Sequence, residues 1–233
     1  MKHIIYKVSA LAMAALLCAL SLSACKTTLK LDKTHGLYDS RRDITYINAS
    51  TTYEATELVK KYGTMQMNGT DAYTIYTIPG EDGTDFLATD EYDILYASDI
   101  KMPSLLEMAP SALHICTDGS QRVHIIKTIE DQVTLAAIVQ TYNDGATLPP
   151  PDVSPARQYT VRFASTQYPG FFYKLIYLEY ATDITYDGET YGRYFLRDRM
   201  AGTCIPISDS IRRALDNADV PATLPEKETA NVA

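Results

Sequence analysis

The sequence predicts an α+β fold dominated by antiparallel strands in hairpins and meanders, with one helix in the N-terminal half and one short helix near the C-terminus. Segments that alternate apolar and polar residues recur along the chain, and a period of two is typical of half-buried strands. The pairs Asp118-Gly119 and Asp187-Gly188 are typical of tight hairpin turns. Two further segments carry apolar residues at helical spacing behind a capping residue.

The first 24 residues are predicted to be an export signal that is removed. Lys2 and Lys7 give a cationic start, and residues 8–24 form an apolar run, which is the pattern of a signal peptide. The run ends in Leu22-Ser23-Ala24-Cys25, which resembles the lipobox of bacterial lipoproteins, where a large aliphatic residue and two small ones precede an invariant cysteine. The resemblance implies cleavage between Ala24 and Cys25 after the Cys25 thiol has received a diacylglycerol.

Two alternatives stay open for this segment. Residues 8–24 are 17 positions, at the low end of the length of an uncleaved membrane anchor. An ordinary secretory signal would leave Cys25 unmodified. The small residues Ser23 and Ala24 favour processing at Cys25, and fatty acyl chains such as palmitate would then hold the mature protein at a membrane.

Charge and the residue after Cys25 set the expected location and partners. In the sorting rule of enteric lipoproteins an aspartate at this position retains the protein at the inner membrane, so Lys26 indicates the outer membrane, with the domain facing the periplasm, in a Gram-negative host. Without the signal, 19 basic and 29 acidic residues give a formal charge of −10. This charge argues against nucleic acid as a partner and leaves the lipid as the membrane contact.

The mature chain of 209 residues is long enough to bury a core. Residues 25–43 lack sustained periodicity and are predicted to be a lipidated polar tether, residues 44–217 a single globular domain, and residues 218–233 a disordered tail. The prolines within residues 145–157 predict an extended connector inside the domain.

Cys116 and Cys204 are an even pair in a compartment that oxidises thiols, and we therefore expect a disulfide between them. Closing the loop of 88 residues between them would stabilise the fold by roughly 4 to 5 kcal/mol in the chain-entropy model. The alternative is two buried thiols, since spacing alone does not show that the two residues are neighbours.

In the N-terminal half the sequence predicts a helix followed by strands. Thr51-x-x-Glu54 is a capping-box pattern ahead of apolar residues at helical spacing, and Gly63 supplies a stop, so a helix is predicted over residues 53–62. Alternating segments predict strands at residues 43–48, 64–68, 72–78 and 92–97.

In the C-terminal half the two Asp-Gly turns predict hairpins. Residues 132–142 fit a strand or a helix, and the alternation of Val133, Leu135, Ala137 and Val139 favours the strand. Ser208 is predicted to cap a short helix over residues 209–217. Strands are predicted at residues 112–117, 120–127, 159–164, 171–182, 191–197 and 204–207.

The sequence contains no motif for hydrolase, phosphate-binding or zinc chemistry, so no catalytic residue, cofactor or metal is predicted. A two-residue turn at Asp118-Gly119 would place His114 opposite Val123 and His124 opposite Leu113, on different faces of the hairpin, which argues against a metal site. Paired carboxylates of a glycoside hydrolase leave no local signature, so this enzyme class stays open.

The chain has 18 tyrosines and no tryptophan, and a tyrosine-rich sheet is a candidate contact surface. A two-residue turn at Asp187-Gly188 would place Tyr180 opposite Phe195, Thr182 opposite Arg193 and Leu178 opposite Arg197. The alternative is that the tyrosines cover an ordinary sandwich, because tyrosine is a preferred strand residue. The predicted binding surface comprises Tyr173, Tyr177, Tyr180, Arg193, Phe195 and Arg197.

These observations predict a non-enzymatic, lipid-anchored envelope protein that binds another protein, as an assembly factor, complex subunit or inhibitor. The alternative is an envelope protein that binds or hydrolyses cell-wall carbohydrate.

The lipid anchor is testable by a single substitution. Cys25→Ser removes the thiol that receives the lipid, so we expect an unprocessed precursor without lipid. Radiolabelled fatty acid and membrane fractionation measure this, and normal lipid incorporation and membrane partition of the variant would contradict the assignment.

Overall fold

A computed structural model of the chain describes residues 28–31, 36–49, 51–67, 70–118 and 123–216. This part of the chain forms a closed barrel, a larger sheet with two helices on one face, and a short separate hairpin. In chain order the elements are β1 (Thr28–Leu31), β2 (Leu37–Asp39), β3 (Ile44–Asn48), β4 (Tyr53–Ala55), β5 (Lys60–Met67), β6 (Thr70–Thr77), β7 (Phe86–Thr89), β8 (Ile94–Ala97), β9 (Ala112–Asp118), β10 (Val123–Ile129), α1 (Gln132–Asp144), β11 (Arg157–Ala164), β12 (Phe171–Glu179), β13 (Thr185–Tyr186), β14 (Glu189–Thr190), β15 (Tyr194–Asp198), β16 (Thr203–Pro206) and α2 (Asp209–Leu215).

The α+β class and the dominance of antiparallel pairing are confirmed. The closed barrel was not predicted. Its strands follow the order β1-β2-β3-β8-β7-β6-β5, and a parallel pairing of β1 with β5 closes it. Leu29, Tyr46, Ile75 and Leu87 fill its interior together with other apolar side chains.

Strand β7 shows how the barrel joins the rest of the fold. All four of its residues are buried. Leu87 points into the barrel, whereas Phe86 and Ala88 belong to the core that lies outside it. A strand that is buried on both faces has a continuous apolar sequence, without the alternation that marks a half-buried strand.

The larger sheet has the order β10-β9-β11-β12-β15-β16, and β4 pairs with the first residues of β12. One face carries Val161, Phe163, Leu175 and Tyr177 and packs against both helices and the outer wall of the barrel. Ser208 caps α2, as predicted, by accepting a hydrogen bond from the amide of Ile211. We call the face of the sheet that carries Val161 and Tyr177 the helix face.

The opposite face is partly covered by the proline-rich connector. Leu148 forms a β-bridge with Cys204, and the Tyr186 hydroxyl donates to the carbonyl of Pro149 over 2.6 Å. Beneath the connector, Ile176 and Leu178 belong to a buried apolar cluster on this face of the sheet. The connector therefore packs on the sheet instead of separating two units. No helix in the described ranges is long and apolar enough to cross a membrane.

The predicted helix over residues 53–62 is wrong. Residues 53–55 form β4 and residues 60–67 form β5, joined by an extended segment. Tyr53 packs edge-on against Phe171 and Tyr173, while the start of β5 pairs with β6. These long-range contacts outweigh a local capping pattern, which contributes only about 1 kcal/mol.

The preferred strand over residues 132–142 is also wrong. This segment is the helix α1, which Asp131 caps by accepting from the amide of Thr134 over 2.8 Å. Its buried residues Leu135, Ile138 and Val139 follow helical spacing and pack on the helix face of the sheet. Val133, which supported the alternation, is exposed.

The segment predicted as a tether contributes to the barrel. Strands β1 and β2 lie inside residues 25–43, and Leu29, Leu37 and Asp39 are buried. Their apolar residues are too few to show a period in the sequence, but they close the barrel core. The predicted tail lies outside the described residues, as do Ala24 and Cys25.

Both predicted hairpin registers differ from the observed ones. His114 lies opposite Thr128, and His124 opposite Thr117, because the β9–β10 connection is longer than two residues. At Asp187-Gly188 the turn itself is confirmed, since Tyr186 pairs with Glu189. Farther out the register shifts by two positions, so that Leu178 faces Phe195 and Ile176 faces Arg197.

The predicted disulfide between Cys116 and Cys204 is wrong. The two cysteines lie at the ends of a row of cross-strand partners that spans five strands. The row runs from Cys116 through Thr160, Ile176 and Arg197 to Cys204. Four strand spacings separate them by roughly 19 Å, whereas a disulfide needs Cα atoms within about 7 Å. Both thiols are buried, and burial raises the pKa of Cys204 to about 11.

The separation of the thiols predicts their chemistry. In purified mature protein unfolded without reductant, both Cys116 and Cys204 should react with an alkylating reagent, and a reductant should leave the melting temperature of the folded protein unchanged. Intact mass spectrometry measures the adducts. Alkylation that requires prior reduction would contradict the observed sheet order.

Candidate functional site

A cleft of about 570 Å³ opens at an interruption in the larger sheet. Strand β15 pairs with the second half of β12 and ends at Asp198, while β4 pairs with the first half of the same edge and begins at Tyr53. Between them the Lys174 amide donates to the carbonyl of Thr52 over 2.6 Å. The cleft therefore lies where one neighbour of β12 stops and the next begins.

The walls of the cleft come from both parts of the fold. The sheet side consists of β4, β12 and the turn after β15, and the barrel side consists of the ends of β3 and β8 and the segment after β8. The surface is mostly apolar and contains three tyrosines. The lining residues are Ala49, Thr52, Tyr53, Tyr96, Ile100, Lys101, Met102, Tyr173, Asp198, Met200 and Ala201.

Asp198 is the only carboxylate among these lining residues, and it is 5 % exposed. Its Oδ1 accepts from the amides of Met200 at 2.8 Å and Ala201 at 3.0 Å, which closes the turn between β15 and β16. Its Oδ2 accepts from the hydroxyl of Tyr142 at 2.6 Å, and the hydroxyl of Tyr173 lies 3.4 Å from the same oxygen. No lysine or arginine of the described ranges forms an ion pair with Asp198.

The phenols around Asp198 are held in their protonated form. Burial raises the pKa of Tyr142, and its hydrogen bond to Asp198 raises it further. Burial also raises the pKa of Tyr173, followed by the effect of its hydrogen bond with Tyr142 at 2.7 Å. Burial raises the pKa of Tyr53 as well, and its hydroxyl donates to the carbonyl of Pro103 over 2.6 Å. The protonated Tyr142 phenol donates to the carboxylate and brings no positive charge to it.

Thr52 supplies a second polar group. The residue is 2 % exposed, and its Oγ has no hydrogen-bond partner among the described residues. A buried hydroxyl without a partner typically costs 1 to 3 kcal/mol. Thr52 is thus a polar residue of the cleft wall whose buried oxygen lacks a partner within the described chain.

The rim combines apolar and charged groups. Met200 is 66 % exposed beside the opening. Lys101 is a solvent-facing side chain whose ammonium lies 3.7 Å from Glu107, outside the cleft. The rim cation therefore pairs with Glu107 and forms no ion pair with Asp198.

The composition of the lining restricts its chemistry. No histidine, cysteine or serine is among the described residues that line the cleft. A single carboxylate does not provide the acid and base that glycoside hydrolysis requires. No group of three metal-ligating side chains occurs in the described part of the chain. A mostly apolar cleft with a few polar groups fits binding.

A smaller cavity of about 190 Å³ lies in the barrel, lined in part by Tyr46, Asn48, Thr89 and Asp93. Ligand pockets for small molecules usually enclose about 300 to 1,000 Å³. The barrel cavity falls below that range, whereas the cleft falls within it.

Comparison with protein families, curated proteins and solved structures finds no match for this chain. Function is therefore inferred from the geometry of the cleft.

The predicted binding surface does not form an exposed face. Tyr173, Tyr177, Tyr180 and Phe195 are all at most 5 % exposed. Tyr177 stacks on Tyr159 with ring centroids 4.4 Å apart, and Tyr180 packs edge-on against Phe195 at 5.7 Å. These residues are core, because strands bury tyrosine rings on both faces of this sheet.

The arginines of that surface lie apart from the cleft. Arg193 is exposed, 4.0 Å from Asp183, and stacks over Tyr194. Arg197 is partly buried on the face opposite the helices. Of the six predicted residues, only Tyr173 lines the cleft.

Sequence reasoning missed Asp198, Thr52, Tyr53 and Tyr142. Gly202 is typical of a turn, and an aspartate four positions before it is a signal for a side chain that closes the turn. No local pattern indicates that α1 brings Tyr142 to that aspartate, because 56 residues separate them.

The hydrogen bond from Tyr142 to Asp198 predicts a measurable contribution to stability. Tyr142→Phe keeps the ring but removes a donor to a buried carboxylate, so we expect the free energy of unfolding to fall by about 1 to 3 kcal/mol. Urea denaturation of the mature protein measures this.

Tyr191→Phe is the matched control, because the Tyr191 hydroxyl bonds the exposed Glu189. We expect no measurable change for this variant. Equal stability of both variants and the parent would show that the Tyr142 contact does not hold Asp198.

Proposed function

We propose that the mature protein is a non-enzymatic, lipid-anchored protein of the bacterial cell envelope that binds another protein. The observation that carries the proposal is the tyrosine-lined cleft between the barrel and the sheet. We propose that a side chain of the partner enters this cleft.

The composition of the cleft supports protein binding. Tyrosine and methionine are enriched in protein interfaces, and binding energy concentrates where a partner's side chain fills a well-formed pocket. Tyr96, Met102 and the exposed Met200 provide such a lining. Tyr53 and Tyr173 are held in place by an edge-on contact with centroids 5.2 Å apart, so the pocket wall is ordered before binding.

The sheet edges argue against an alternative mode, in which the partner adds a strand. Edge strand β10 has a bulge between Ile125 and Lys127, and the Lys127 ammonium donates to the carbonyl of Ala214 at 2.8 Å. Edge strand β16 contains Pro206 and is covered at Cys204 by Leu148. Bulges, lysine, proline and coverage are features that prevent edge pairing.

The carbohydrate alternative has less support. Glycan binding by tyrosine uses an open ring face, whereas Tyr53 and Tyr173 contact each other edge to face within the wall. Hydrolysis would need a second carboxylate in the lining. The lipid anchor and the acidic charge fit either class and do not discriminate between them.

The proposal predicts a crosslink at the rim of the cleft. A photoreactive phenylalanine analogue at Met200 of the full-length protein should form one dominant adduct in cells of the native host. The same analogue at Val133, which is 79 % exposed near the start of α1, should not. Gel shift and mass spectrometry detect the adduct.

Ala201→Trp tests whether the adduct depends on the cleft. Ala201 is an exposed lining residue, so a large ring there should fill the cleft and abolish the adduct without disturbing the core. Equal adducts at both sites, or an adduct at Met200 that survives this substitution, would contradict the proposal.

A further inference from the structure

We propose that the cleft binds the cationic end of a lysine or arginine side chain that a partner protein presents. This rests on the proposed function, because it takes the cleft as the partner site. The proposal combines a buried carboxylate, an acceptor without a partner, and walls that suit the stem of a basic side chain.

The first argument is the uncompensated charge of Asp198. Removing a carboxylate from water is costly unless hydrogen bonds and an opposite charge replace the lost solvation. Asp198 has its hydrogen bonds, from two amides and the Tyr142 phenol. The opposite charge is missing among the described residues, although the carboxylate lines an open cleft. A guanidinium or ammonium group would supply it.

The second argument is the hydroxyl of Thr52. A guanidinium carries five N–H donors and an ammonium three, so each needs acceptors beyond one carboxylate. Thr52 Oγ lies in the same wall and has no partner within the described chain. A cation bound in the cleft would give this buried oxygen the donor that the described chain does not supply.

The third argument is the shape and chemistry of the walls. Lysine and arginine bury their aliphatic stems along apolar surface while the charged end reaches a polar group. Ile100, Met102 and Tyr96 provide apolar surface along which such a stem can lie. A neutral apolar side chain would use these walls but leave Asp198 without a counter-charge.

The charges around the opening allow a cation to enter. Lys101, at the rim, lies against Glu107 and leaves Asp198 unpaired. The mature protein has a formal charge of −10, so its overall field attracts a basic partner.

The test measures binding of a single basic side chain to the mature protein. Methionine methyl groups are labelled with ¹³C, and N-acetyl-arginine methylamide is titrated against its neutral isostere, the corresponding citrulline derivative. We expect the arginine probe to shift the signals of Met102 and Met200 saturably and to leave Met65, inside the barrel, unchanged. The dissociation constant of the citrulline probe should be at least about tenfold higher than that of the arginine probe.

Two variants separate recognition from folding. Asp198→Asn keeps the shape and removes the charge, so it should weaken arginine binding about tenfold and abolish the preference over citrulline. Thr52→Val removes only the hydroxyl acceptor and should weaken arginine binding by a smaller factor. The melting temperature and the Met65 signal of each variant show whether it is folded.

The outcomes distinguish this inference from the proposed function. Equal binding of the arginine and citrulline probes, or arginine binding that Asp198→Asn leaves intact, overturns the cation assignment even if the Met200 crosslink forms. Tighter binding of spermidine than of a lysine- and arginine-containing peptide overturns the assignment to a protein side chain. Support requires the charge preference together with a crosslinked partner residue that lies beside a lysine or arginine.

Discussion

The three residues of β4 hold the two parts of the fold together. The Ala55 amide donates to the carbonyl of Tyr92 in the barrel at 2.9 Å, while Ala55 and Tyr53 pair with Phe171 and Tyr173 in the sheet. On the face opposite the helices, the Glu54 carboxylate contacts Arg162 and lies 3.6 Å from Lys174. One short strand therefore links the backbone of the barrel to that of the sheet. It also places the Tyr53 ring in the core and the Glu54 carboxylate on the opposite face.

The cleft is a consequence of this junction. Because β4 is short and occupies only the first part of the β12 edge, β15 ends before it, and the interruption places Asp198 and Thr52 in the wall of one cleft. The barrel, which β4 holds against the sheet, supplies the second wall. Asp198 ends β15 and Thr52 directly precedes β4, so both polar residues lie at the interruption. Helix α1 adds the Tyr142 hydroxyl, which donates to the Asp198 carboxylate. A fold held by a longer β4 would close the sheet and leave no site.

Strands with regular alternation, such as Thr70–Thr77 and Arg157–Ala164, and the helix behind Ser208 were predictable because their periodicity is local. The barrel was not, because Phe86–Thr89 is buried on both faces and Leu29 belongs to a strand too short to show a period. Leu135 and Val139 fit both a strand and a helix, and only Ile138 distinguishes the helical face. The site itself was inaccessible to sequence reasoning, since Asp198, Thr52 and Tyr142 meet only through the junction of barrel and sheet.

Native-state hydrogen exchange of the Ala55 amide tests this account most directly. If β4 holds the barrel and the sheet as one unit, the Ala55 amide exchanges with the same free energy of opening as the amide of Val161 in the centre of the sheet. Exchange of Ala55 at a much lower free energy than Val161 would show that the two parts separate without unfolding, and would contradict a preformed cleft between them.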